Sequence, residues 1–347
     1  MTARPMVSVC VPAFERPEML PQLIASFRHQ SYPNKELVIA DDSRTDAVQR
    51  LMSTLDLSSI CYHRNAENLG YCRNLRKVLD LASGEYVVIL GDDDVLLSPG
   101  TLDRYAEVFE EFPEVGFIHC NHVQFSNGLK VDALVRYFPE DRLFGRGEDA
   151  MRGIWTKSTF IPGIAIRRNV PLAEWYPTGD LLFPQLELVG NIVNHASAFG
   201  IAEFLVGGRA HREQLGFYAI RGERIKGAER HGTLELLSIF EKLAGRYDFS
   251  FDDDFLVVDQ INRFSWTILK ERMIVGRRGV RTNYHSFCRA RPRARRSKRL
   301  RTSYVIAMVS PTIILRAGRR LALVALGAKN RVERQEEQKQ LRQMVTT

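Results

Sequence analysis

Asp92, Asp93 and Asp94 form an unbroken trio of carboxylates directly after Glu85–Leu90, a short apolar run of the kind that makes a parallel strand covered on both faces. Adjacent carboxylates at the end of a buried strand repel one another, and a bound cation makes such an arrangement tolerable. Oxygen-only ligands select hard ions, so the implied chemistry is Mg²⁺ or Mn²⁺ bridging the chain to a diphosphate. The bland alternative is a solvated acidic turn. A core strand leading straight into the trio argues against it.

Three further segments carry polar residues where strands should end. In Pro12-Ala13-Phe14-Glu15-Arg16, Phe14 could flank a nucleobase while Glu15 and Arg16 face a crevice; the same residues also read as a helix start, with Pro17 in its first turn. Asp41 and Asp42 could accept hydrogen bonds from a base and a ribose, and Ser43 or Thr45 could cap the helix that follows. Asn68-Leu69-Gly70, with Arg73 and Asn74, reads alone as a loop and an N-terminal helical turn.

Stacked βα units are what would position these segments. Val7–Pro12, Lys35–Asp41 and Ile60–Arg64 read as strands. Leu20, Leu23, Ile24 and Phe27 recur at helical spacing, as do Leu75, Val78, Leu79 and Ala82, and a further helix is expected after Thr45. The outline is a doubly wound sheet, whose ligands gather at the carboxyl edge of the strands. Between Val115 and Gly208 the pattern loosens into short strands and aromatic loops, with a helix after Asp180 bearing Leu181, Leu182, Leu186 and Val189. Residues from about Thr233 to Tyr284 read as mostly helical.

With 347 residues, 45% of them hydrophobic, the chain can bury a full core. Its charge is uneven: from Arg277 to Thr347 there are 19 Lys/Arg against 3 Asp/Glu, whereas the remainder has 30 against 38. An acidic body with a basic tail suits an anionic surface. Tyr304–Leu315, broken by Pro311, and Leu321–Ala328 are each too short to span a bilayer, which needs about twenty apolar residues. With the basic stretch Arg289–Arg301 they fit a segment lying in a membrane interface, or else an amphipathic helix packed on the body or on a partner subunit. Five cysteines without a close pair read as reduced cytosolic thiols, and no export signal is expected.

In order and spacing, Val7–Arg16, Gln30–Asp42, Asn68–Asn74 and Gly84–Asp94 resemble the family 2 glycosyltransferases, a likeness that is specific through about Pro99. The resemblance implies a GT-A fold, a Rossmann-like mixed α/β sheet flanked by helices, here with a C-terminal helical, basic extension. It implies an inverting transfer of sugar from a nucleoside-diphosphate-sugar to a glycan or lipid-linked acceptor in cell-surface polysaccharide biosynthesis, with Mn²⁺ or Mg²⁺. By the same resemblance Pro12, Phe14, Glu15, Arg16, Asp41, Asp92 and Asp93 contact the donor, and Asp94 holds the metal. The family's usual Asp-x-Asp-Asp has Gly91 in its first position here. Its base commonly starts a helix in the acceptor half, a place held by Asp180, which is equally an ordinary helix cap; Glu187 is a poorer candidate. Relatives often show Arg-x-His near the diphosphate, which points to His211 as a metal or phosphate contact, against an ordinary surface histidine. Gly163 could let an acceptor approach the backbone.

The expected division is a GT-A domain over 1–231 (nucleotide half 1–115, acceptor half 116–231), a helical extension over 232–288 and a basic amphipathic tail over 289–347. The protein is expected in the cytoplasm, peripheral on the inner face of the cell membrane. A nucleotidyltransferase would want a Gly-rich loop with a basic residue after the first strand, which Pro12-Ala13-Phe14 is not. A nucleic-acid-binding protein using Arg289–Arg301 would want interleaved aromatics. A catalytically silent assembly partner is the remaining alternative.

Overall fold

The computed structural model describes residues 4–126, 129–209, 232–247, 261–318 with short breaks, and 331–345. It divides into two compact units, Met1–Ala210 with Arg331–Thr347, and His211–Asn330.

In the first unit β1 (Val7–Ala13), β2 (Lys35–Asp41), β3 (Ile60–Arg64) and β4 (Tyr86–Ile89) are parallel, in the order β3-β2-β1-β4. Every residue of β1 is buried, which fits an inner strand covered on both faces. Helices α1 (Leu20–Arg28), α2 (Ala47–Met52) and α3 (Tyr71–Leu81) join these strands; the stripe Cys72, Leu75, Val78 and Leu79 is the buried face of α3, which packs against β1 and β2. Ala13 pairs with Asp41, and Cys10 with Ile89, so the loops that follow β1, β2 and β4 leave the sheet at one carboxyl edge.

Beyond β4 the sheet becomes mixed. The short β9 (Ile164–Arg167) lies antiparallel between β4 and β6 (Val115–Ser126), and β10 (Ser197–Arg209) runs parallel to β6. A two-residue strand, β5 (Val95–Leu96), pairs antiparallel with β10 at the edge. Off this path, β7 (Lys130–Val135) pairs with β6 and β8 (Arg142–Phe144) with β10. Bulges in β10 around Phe204 shift its register, and the strand ends at Arg209 beside the acidic trio. The sequence outline of stacked parallel units thus holds for the first four strands and gives way to antiparallel insertion after them.

Four short helices complete this region: α4 (Thr101–Glu111), α5 (Glu148–Gly153), α6 (Leu172–Trp175) and α7 (Pro184–His195). The last was expected to begin just after Asp180. It starts instead at Pro184, with Phe183 at its N-cap, so Asp180, Leu181 and Leu182 all precede it. Proline fixes φ at a helical value and lacks the N–H that an interior position would donate, so it belongs in the first turn.

The second unit holds α8 (Gly232–Tyr247), α9 (Gly276–Ala290), a 3₁₀ turn at Pro292–Arg296 and α10 (Lys298–Val309) around its own core of Leu237, Phe264, Ile268, Val280, Phe287 and Leu300. The chain then returns to the first unit as α11 (Arg331–Val345), which packs against α1 and β7. Leu341 is fully buried among Val95, Leu97, Val123 and Phe125, and the Gln338 side chain accepts from Val131 N at 2.8 Å and donates to Leu129 O. The expected boundaries lie at 231 and 288, whereas the two compact units change over at 210 and 330, with the last helix counted in the first unit. After Lys329 the composition turns from basic and aliphatic to Glu- and Gln-rich, with Leu341 and Met344 left to bury on the body. Among the described residues, no helix is long and apolar enough to cross a membrane.

Candidate active site

The loops after β1 and β4 are clasped together by the acidic trio. Asp92 accepts a hydrogen bond from Phe14 N (2.9 Å) and pairs with the Arg16 guanidinium (2.5 Å), whose other nitrogen lies 2.6 Å from Asp93. All three carboxylates are buried. Burial pushes Asp92 up to about 7, with Arg16 pulling down and Asp93 pushing up. Burial, then Asp93, raises Asp94 well above the carboxylate range. Burial opposes the charge on Arg16, but Asp92, Asp93 and Asp94 outweigh it and raise its pKa. Electrostatically, the site holds more negative charge than it can keep ionised unaided.

Asp94 also reaches the far half of the sheet. It accepts from Gly91 N at 2.7 Å and from Arg209 N, at the end of β10, at 3.3 Å. The Arg209 side chain donates to Gln22 and lies over the Phe125 ring, 4.6 Å from its centroid. Sequence reasoning passed over Arg209 in favour of His211, although the Arg-x-His pattern contains both. The departure at Gly91 now has a physical reason: a Cβ there would stand 2.7 Å from Asp94 Oδ2 and 3.1 Å from Asp93 Oδ1. Gly91→Ala should therefore push the Asp94 carboxylate off its backbone donor. The expected result is an unchanged far-UV circular dichroism spectrum with cation-assisted nucleotide binding weakened by about tenfold, since one mis-seated charged hydrogen bond is worth about 1.5 kcal/mol.

Asp42 ties the loop after β2 to the start of α3. Its carboxylate accepts from Leu69 N (2.7 Å), Gly70 N (2.8 Å), Asn65 Nδ2 (2.9 Å) and Asn68 Nδ2 (2.9 Å). Asn74 Nδ2 adds a bond to Ala40 O at 2.9 Å, and Gly70, at φ 80°, supplies the turn that opens α3. The segment Asn68–Asn74, which alone read as a plain loop, is thus held by a carboxylate 26 residues earlier. Asp42→Ala should cost about 3 kcal/mol in urea unfolding, because it strands several buried donors at once.

The other sequence candidates sort as follows. Asp41 is fully buried, accepting from Ser43 N (2.9 Å) and the Tyr62 hydroxyl (2.7 Å). Glu15, expected to face the crevice, turns instead toward the 43–45 loop: its carboxylate accepts from Arg44 N, Thr45 N and the Thr45 hydroxyl, with its backbone at φ 54°. Burial opposes ionisation of Glu15, yet those hydrogen bonds hold its pKa below the usual range. Ser43 and Thr45 are engaged with Glu15 and cap no helix; Asp46 stands at the N-cap of α2. Pro12 is buried within β1. Asp180 is exposed in the loop before α7, and Glu187 is buried inside that helix. His211 lies outside the described residues.

Gly163 packs rather than opening a path for an acceptor. A Cβ there would meet Cys120 Sγ at 2.8 Å and His119 Nδ1 at 3.1 Å, so the glycine lets its loop close onto β6. On the same face His122 is buried between Phe160 and Tyr137. Burial, then His119, lowers its pKa to about 3, so the imidazole is neutral. The Phe160 ring also fills the space where a Gly208 side chain would stand, one residue before Arg209. A cavity of about 150 Å³ lined by Tyr137, Phe138, Arg142, Phe144 and Lys157 shares no residue with the acidic site.

Among the described residues, no three His, Cys, Asp or Glu side chains come together as a metal cage. Asp93 and Asp94 nonetheless fit a hard divalent cation: both offer oxygen only, and the pKa of Asp94 is raised by its burial and then by the neighbouring Asp93 carboxylate. Mg²⁺ in particular is commonly held by one or two carboxylates together with substrate phosphates.

Residues 8–173 match glycosyl transferase family 2. The chain is 34% identical over 115 residues to an abequosyltransferase of Salmonella typhimurium, covering 30% of this chain and 34% of that protein. It is 37% identical over 116 residues to the GalNAc(5)-diNAcBac-PP-undecaprenol beta-1,3-glucosyltransferase of Campylobacter jejuni, covering 30% and 37%. The matched stretch thus spans only about a third of these relatives. Its structure is similar to that of TarS 1–349 of S. aureus in complex with UDP-GlcNAc, with a TM-score of 0.56 at 17% identity over 90% of this chain and 92% of that one. It is also similar to the mannosyltransferase PcManGT of Pyrobaculum calidifontis in complex with GDP-Man and Mn²⁺, with a TM-score of 0.51 at 18% identity over 99% and 87%. At such identities the likeness shows a shared fold, the GT-A arrangement of a mixed sheet flanked by helices.

Proposed function

We propose that this chain, a member of glycosyl transferase family 2 through residues 8–173, transfers a sugar from a nucleoside-diphosphate donor to a glycan or lipid-linked acceptor with inversion. The observation that carries the reading is the buried, charge-excessive trio at the end of β4, placed where loops of an open α/β sheet meet a ligand. Phe14 would flank the nucleobase, with Pro12, Asp41 and Asp93 on the donor side. Asp92 fixes the Phe14 loop through the backbone N–H it accepts from, and Arg16 and Arg209 supply positive charge beside the carboxylates. Mg²⁺ or Mn²⁺, held by Asp94 with Asp93 and the donor phosphates, would neutralise charge on the leaving diphosphate. His211 is assigned to that diphosphate or to the ion.

Asp180 is the proposed base, taking the proton of the acceptor hydroxyl as its oxygen attacks the anomeric carbon. Its place in an exposed loop ahead of α7 suits a group that must meet an incoming acceptor. The name of the Campylobacter relative specifies an undecaprenol-diphosphate-linked acceptor, and a lipid-linked acceptor is carried to this chain on that support. A protein using one would work in the cytoplasm at the inner face of the cell membrane, in polysaccharide biosynthesis. The test is product identity: incubated with nucleoside-diphosphate sugars and Mn²⁺, the chain should release a nucleoside diphosphate and give a product of inverted anomeric configuration by NMR. Release of pyrophosphate would replace sugar transfer with nucleotidyl transfer.

A further inference from the structure

Between Glu271 and Glu333 the chain carries 17 Lys/Arg and not one Asp or Glu. Within this run the second unit places its basic and aliphatic residues with a definite geometry. Ala294 and Leu300 are fully buried in the core of that unit, and pinning them inward turns Arg295, Arg296 and Lys298 outward, all exposed. The Ser297 side chain caps α10 by accepting from Leu300 N, which fixes the point where turn becomes helix.

Helix α10 is apolar on two sides. Leu300 and Ala307 bury into the core, joined by Tyr304, which stacks on Tyr284 at 3.9 Å, and by Met308. Opposite them, at spacings of three and four, lie Lys298, Thr302, Val305 and Val309, with Ile306 alongside. Val305, Ile306 and Val309 are exposed by 40–66%, and beyond Pro311 Ile313 and Ile314 are exposed by 76% and 58%. These five are most of the large hydrophobic side chains standing in water among the described residues. Large aliphatic side chains held in water at helical spacing on one face mark a surface that something covers.

We propose that this face docks on an anionic lipid surface, the aliphatic residues Val305, Ile306, Val309, Ile313 and Ile314 entering the interface while Arg295, Arg296 and Lys298 meet headgroup charge. The charge of the stretch selects that occupant: aliphatic side chains flanked by cations, in a run of sequence that carries no Asp or Glu, match the interior and the anionic rim of a lipid leaflet. A nucleic acid would use the cations but would leave the aliphatic ridge wet, and the aromatic residues of this stretch that could stack on bases, Tyr284 and Tyr304, are stacked on each other. The proposal deepens the lipid-linked part of the proposed function and rests on it for its biological sense, though not for its test.

The test is sedimentation of the full chain with vesicles of phosphatidylcholine alone or with about 30% phosphatidylglycerol, at about 0.15 M salt. The expected result is binding to the anionic vesicles only. The triple change Val305→Ser, Ile306→Ser, Val309→Ser should lower it by at least about tenfold, and Arg295→Gln, Arg296→Gln, Lys298→Gln by about fivefold for each charge removed. The two variants differ in salt response: the first keeps a salt-sensitive remainder and the second a salt-resistant one. Because the changed side chains are exposed, circular dichroism and release of nucleoside diphosphate from a soluble donor should be unaltered. Vesicle binding equal to wild type in both variants would overturn the proposal, as would retention on single-stranded RNA without retention on vesicles. Vesicle binding without sugar transfer would sink the transfer reading alone, and transfer without vesicle binding would sink the docking face alone.

Discussion

Asp94→Asn should lower the turnover of sugar transfer by roughly a thousandfold, about 4 kcal/mol of lost transition-state stabilisation, while the chain stays folded. Asparagine keeps the size of the side chain and one acceptor toward Gly91 N or Arg209 N, but it removes the charge that would hold the cation. The carboxyl it replaces already resists ionisation through burial and the adjacent Asp93, so losing that charge relieves repulsion in the empty protein. Activity and stability should therefore part company: kinetics fall steeply while the urea midpoint holds or rises. A variant that loses both together would mean that Asp94 is a structural acceptor for β10 and not a ligand.

Arg16→Met should destabilise the protein by about 3 kcal/mol when no divalent ion is added, because removing one partner of a buried ion pair leaves uncompensated charge behind. Arg16 pairs with two carboxylates, and nothing else in the β1 loop can replace it. The pH dependence follows from Asp92, whose pKa rises from 3.8 to about 7 on folding. Between those values the native state holds more protons than the unfolded one, so stability contributed by this group is present at low pH and is lost as pH rises toward 7. The Arg16→Met loss should accordingly be largest above pH 7 and smaller near pH 5, where protonation does part of the work of the missing cation. Adding Asp93→Asn should restore much of it. Urea unfolding at the two pH values reads both effects, and a loss independent of pH would contradict the electrostatic account.

The strands after which the site residues follow were legible in the sequence because parallel strands buried on both faces leave short continuous apolar runs with little else they can be; Lys35–Asp41 and Ile60–Arg64 fall where they were expected. The trio was legible for a similar reason, since three carboxylates after such a run have few bland explanations. What escaped reading depends on contacts between residues far apart. β9 has only four residues and earns its place between β4 and β6 by pairing on both sides, which no local pattern announces. The role of Asp42 is set by donors more than twenty residues later, and the position of Arg209 by two bulges in β10. Glu15 looked like a crevice residue because it follows a strand end, and only its backbone conformation at φ 54° shows that it turns back to the neighbouring loop. The placement of the last helix was left open for a different reason: net charge over 289–347 averages a basic, aliphatic stretch with a Glu- and Gln-rich one, and the two go to different units.

The measurement that bears most directly on the acidic site is thermal melting of the full chain with UDP, GDP and their sugars, each with and without Mn²⁺. Ligand at a hundred times its dissociation constant stabilises the folded state by about 2.7 kcal/mol, a shift of several degrees. The account predicts that at least one nucleotide raises the melting temperature only when Mn²⁺ is present, and that Asp94→Asn abolishes the shift. Melting curves that ignore the cation for every nucleotide, or that shift equally in Asp94→Asn, would contradict it.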